Sequence, residues 1–87
     1  MTNVRNVAND WVEYDDRKRK MGAPILNFDP HAGWEVNYLA DKLQMHYPEL
    51  DREAIKIAVY TYSRYASPPY YRDSMIKWIL KRLQVPV

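Results

Sequence analysis

The chain has no cysteine in its 87 residues. That excludes disulfides, thiolate nucleophiles and cysteine-bearing zinc sites together, and it fits a reducing compartment. Glycine is nearly as scarce, with two residues, Gly22 and Gly33. There is accordingly no glycine-rich phosphate loop and no nucleophile elbow. Histidine is limited to His31 and His46, and neither stands in a catalytic or metal-ligand spacing with another residue. The N-terminal stretch MTNVRNVANDWVEY lacks the apolar core of a signal peptide, and no run approaches membrane length. Neither sign of charge dominates. Thirteen Lys and Arg against eleven Asp and Glu leave a formal net charge of +2, far from the field of a dedicated nucleic-acid coating protein. Together these absences point away from catalysis, a metal, a cofactor, a small-molecule substrate or a membrane. They predict a soluble, cytoplasmic binding protein.

What is present is apolar and aromatic. Hydrophobic residues make up 47% of the chain, with three tryptophans and eight tyrosines, which is the composition of a folded rather than a disordered chain. At this length one small domain is expected, with a core thin enough that most large apolar side chains are needed to build it. The apolar spacing is helical throughout, and six prolines divide it into segments. Val4, Val7, Ala8, Trp11 and Val12 predict one face of an amphipathic helix within residues 1–22, with Gly22 just past its basic last turn. Residues 23–28 read as an extended connector whose Ile25, Leu26 and Phe28 cover part of the core.

Three helices are expected in residues 29–85. The first starts at Asp29-Pro30 and turns Val36, Leu39, Leu43 and Tyr47 or His46 inward, with Trp34, Tyr38 and Ala40 widening the face. Pro48 ends it and Asp51 caps the next, where Ile55, Ala58, Val59 and Tyr62 share a face and Ile57 and Tyr60 load the opposite one. Two apolar sides predict a central helix with neighbours on both. Ser67-Pro68-Pro69 forces a break. The last helix then carries Tyr71, Met75, Ile76, Ile79, Leu80 and Leu83 and stops before Pro86. The fold class is all-α: a small bundle of three helices in one unit spanning 29–87, preceded by the N-terminal helix.

Two basic groups suggest a function. In the run Arg17-Lys18-Arg19-Lys20, acids four residues upstream (Glu13, Asp15 and Asp16) predict a self-neutralised, solvated ladder. Only Lys18 lacks such an acid, and Tyr14 stands there instead. In the stretch AVYTYSRYASPPYYR, Tyr62 belongs to the core and Tyr65 lies near it. Tyr60, Arg64, Tyr70 and Arg72 form a candidate platform around the Pro68-Pro69 corner. Lys77, Lys81 and Arg82 extend it along the last helix. Residues 68–87 hold four basic residues against Asp73, whereas residues 29–50 hold Asp29, Glu35, Asp41 and Glu49 against Lys42. Tyrosine and arginine are the usual anchors of a protein interface. The same groups stack on unpaired bases and pair with phosphates. A protein partner or self-association is the first expectation and a nucleic acid the alternative. A helix-turn-helix reading of the Pro68-Pro69 corner meets a corner without glycine and an unusually apolar second helix.

The stretch LADKLQMHYPELDREAIKIAV resembles in part the ubiquitin-binding CUE pattern, in which a helix ends in Met-Phe-Pro and a capped helix follows. Here the tripeptide is His46-Tyr47-Pro48, and Ile79-Leu80 stand where that family has a terminal di-leucine, at a spacing several residues longer. With those departures the chain is not assigned to the family. The resemblance implies only that a three-helix module of this kind can act purely as a binder.

Overall fold

Four helices carry most of the residues that the computed structural model describes, 11–24 and 27–85: α1 (Val12–Met21), α2 (Gly33–His46), α3 (Arg52–Tyr65) and α4 (Arg72–Arg82). Two short strands, β1 (Asn27–Phe28) and β2 (Tyr70–Tyr71), pair antiparallel, Asn27 opposite Tyr71 and Phe28 opposite Tyr70. The architecture is the all-α bundle expected. The ribbon adds a clasp between the connector and the segment entering α4.

The helix ends follow from local chemistry. Gly22 closes α1 in the left-handed conformation, φ 69°. Its N–H donates to the Arg19 carbonyl at 3.0 Å and that of Ala23 to Lys18 at 2.9 Å, the paired bonds of a Schellman end. Asp51 caps α3 as expected, its Oδ2 accepting from the Ala54 N–H at 3.1 Å. The start of α2 differs from the expectation. Asp29 does not cap it, because its Oδ1 accepts from the His31 N–H at 2.9 Å and closes a separate turn first. The helix begins at Gly33, with extended Ala32 before it.

The core is one cluster drawn from every helix. It contains Leu39, Ala40, Leu43 and Tyr47 around α2, Ile55, Ala58 and Val59 of α3, and Met75, Ile76, Ile79 and Leu80 of α4, closed by Phe28, Trp11 and Tyr14. Only part of the face that the apolar pattern suggested for α1 lies among the described residues. Val4, Val7 and Ala8 lie outside the described residues, and Val12 is exposed. Trp11 of that face is buried as expected, and Tyr14 and Lys18 join it in place of Val12, at i, i+3, i+7. Further along, α3 has one buried side, not two: Ile57 and Tyr60 are 62% and 59% exposed. Tyr65 is exposed as well, and Tyr71 stands in the ribbon before α4, over half exposed.

The expected salt ladder of α1 is largely redirected into tertiary contacts. Glu13 accepts from the Tyr38 hydroxyl at 2.7 Å, which holds its carboxyl below the usual range. Asp15 pairs with Arg72 of α4 at 2.9 Å, and the Arg17 guanidinium lies 4.3 Å from the Trp34 ring centre. Asp16 alone keeps a local partner, Arg19, at 3.1 Å. Lys18 is buried, its ammonium 3.1 Å from both oxygens of Glu35.

Candidate functional site

The seven residues expected to bind do not form one surface. Arg72 is withdrawn from it. The residue is 7% exposed, and its guanidinium donates to Asp15 and lies 4.7 Å from the Trp11 ring centre and 5.5 Å from that of Tyr14. It fastens α1 to α4, so the first turn of α4 has no free cation to offer a phosphate or a base edge. Tyr70 is half-buried. Its hydroxyl donates to the Ser63 carbonyl at 2.9 Å and its ring meets Tyr62 edge-on at 6.0 Å, so it braces the Pro68–Pro69 corner. Tyr60, Arg64, Lys77, Lys81 and Arg82 are exposed.

The exposed residues fall into two patches on different sides of α3. The outer side carries Ile57, Tyr60 and Arg64, within about 60° of arc at 3.6 residues per turn. The Arg64 guanidinium donates to the Tyr60 hydroxyl at 3.1 Å and sits 5.8 Å from its ring centre, which fixes both side chains on the surface. Toward α4 lies an aromatic row that sequence reasoning missed. Tyr65 stacks on Trp78 at 5.9 Å with 27° between planes, Tyr62 touches the same indole at 5.3 Å, and the Arg82 guanidinium lies 5.4 Å from it. Burial, with Tyr65 and Tyr70 nearby, raises the Tyr62 phenol above its ordinary value, as expected of the row's inner member. The i,i+4 spacing of Trp78 and Arg82 was a signal in the sequence. That Tyr65 would meet Trp78 depended on the angle between two helices.

A third feature is an apolar recess of about 310 Å³ between the ribbon and the corner, walled by Phe28, Pro30, Pro68, Pro69 and Tyr70. His31 is the only imidazole on its rim. Among the described residues no three histidine, aspartate or glutamate side chains gather where a metal could be held. No helix among them is long and apolar enough to cross a membrane. Comparison with models of known families, with curated proteins and with solved structures found no match to this chain.

Proposed function

We propose that the chain is a small, non-catalytic binding module that recognises another protein through the outer side of α3. The observation that carries this reading is the exposure of Ile57 and Tyr60 on one face of a helix whose other face completes the core. Scattered apolar residues are ordinary on a surface. A β-branched aliphatic and a tyrosine one turn apart, with an arginine already clamped on the tyrosine, make a compact anchor set. The clamp also removes rotamer freedom before binding, which lowers the ordering cost of association.

The test starts with a photo-crosslinking amino acid at position 60, and at position 20 on the exposed side of α1 as control. A protein captured only from position 60 is then purified and titrated calorimetrically. Ile57→Asp and Tyr60→Ala are each expected to weaken binding at least tenfold, with little dependence on salt. Equal capture from both positions, or unchanged affinity in both variants, would sink the proposal.

A further inference from the structure

We infer that the second patch, made by Tyr65, Trp78, Lys81 and Arg82, binds single-stranded nucleic acid. The ring of Tyr65 is backed on one side by Trp78, and the residue is 76% exposed. A phenol that hides so little apolar surface and is backed by an indole in an offset stack, 27° between planes, is a stacking platform. Any base can lie on it because every base presents a π-face. The same Trp78, with Lys81 and Arg82, lines an open recess of about 310 Å³, with Arg82 held against the indole. Lys77 stands one turn before Lys81 on the same exposed side of α4.

Charge complementarity selects the occupant. From Ala54 to the last residue the only acid is Asp73, in the first turn of α4 and 4.0 Å from the buried Arg72. Asp73 stands four residues before Lys77, but Lys81 and Arg82 at the far end of α4 have no acid three or four residues before them, so that end is cationic. Duplex DNA suits the patch poorly. A recognition helix reads base edges with its first turns, and here that part of α4 holds buried Arg72, Met75 and Ile76. A run of acidic residues would satisfy the cations but brings no aromatic ring of its own to lay on Tyr65. A single strand offers both phosphates and unstacked bases.

This surface is distinct from the outer side of α3, so the two readings fail separately. The experiment is fluorescence anisotropy of labelled mixed-sequence 12-mers, single-stranded DNA, single-stranded RNA and duplex DNA, at 50 and 200 mM salt. Binding of either single strand is expected, with affinity falling about 20-fold over that range if roughly three phosphates are neutralised. Tyr65→Ala should weaken it by about 5- to 150-fold, the worth of one stacked base, and Tyr65→Phe should not. Lys81→Glu with Arg82→Glu should abolish it with the helical circular dichroism unchanged, and Ile57→Asp should leave it intact. No binding at 50 mM salt would overturn the inference. So would duplex binding as tight as single-stranded, unchanged affinity in Tyr65→Ala, or displacement of the strand by poly-glutamate at equal charge.

Discussion

Lys18 is the residue on which the N-terminal helix turns. Its ammonium and the Glu35 carboxylate are 5% and 2% exposed and 3.1 Å apart. Glu35 also accepts from the Tyr14 hydroxyl at 2.5 Å and from the Asp29 N–H at 3.0 Å. A buried charge with several donors is tolerable while its counter-ion stays. Lys18→Met removes the counter-ion and strands the carboxylate, so it should cost about 3–5 kcal/mol. Glu35→Gln in the Lys18→Met background should recover part of that loss, because a neutral amide oxygen still accepts from Tyr14 and Asp29. Urea unfolding of the single and double variants measures both. A loss below 1 kcal/mol for Lys18→Met, or additive losses in the double, would show the pair to be peripheral. Helical spacing singled Lys18 out by what it lacks, an acid four residues upstream. It could not supply the partner, 17 residues away on another helix. The same limit applies to Arg72, which local charge counting placed on the surface and Asp15, 57 residues away in sequence, draws inside.

At the scale of elements, punctuation was the legible part. Pro48, Asp51 and the Ser67-Pro68-Pro69 corner lie where the chain changes helix, and the buried positions of α3 and α4 follow the helical repeat. The errors arose where one residue had two uses. Asp29 could cap a helix or close a turn on His31, and the Glu35 oxygen that takes the Asp29 N–H favours the turn. Tyr70 and Tyr71 read as the start of α4, but pairing with Asn27 and Phe28 holds them extended. Two caps make opposite predictions. Asp51→Ala removes the acceptor for the Ala54 N–H and should lower stability by about 1 kcal/mol. Past α4, Gln84 adopts φ 62°, with its N–H bonded to the Lys81 carbonyl and that of Val85 to Leu80. A side chain is strained there and glycine is not. Gln84→Gly should therefore raise stability by up to about 1 kcal/mol, less the greater freedom glycine gives the unfolded chain. Thermal melts of the two variants should move in opposite directions, and a fall in both would mean that α4 does not need its left-handed end.

For the whole molecule, the buried junction of α1 with α2 and α4 sets how stability responds to alkali. Burial raises the Tyr14 phenol far above its ordinary value of 10.0, and the hydrogen bond to Glu35 and that group's negative charge add to the rise, against the opposing Arg72. Burial raises Tyr47 and Tyr62 in the same direction. Below about pH 10 folded and unfolded chains both keep these protons, and nothing is lost. Above it the unfolded chain releases the Tyr14 proton while the folded chain retains it, so the unfolded state binds fewer protons and stability falls as pH rises. Each pH unit beyond the unfolded pKa removes up to about 1.4 kcal/mol per such group until the folded value is reached. Tyr14→Phe is less stable at pH 7, having lost its bond to Glu35, but it also lacks this titration. The gap between the two proteins should therefore narrow from pH 10 to pH 11 in urea unfolding. Parallel curves across that interval would remove Tyr14 from the alkaline transition. Absorbance at 295 nm gives an independent reading on the intact fold, where fewer than the chain's eight tyrosines should ionise before the bundle opens. Ionisation of all eight near pH 10 with the helices intact would mean that α1 leaves its seat without unfolding the rest, and the charged pairs at Lys18 and Arg72 would then hold α1 only as a separable element.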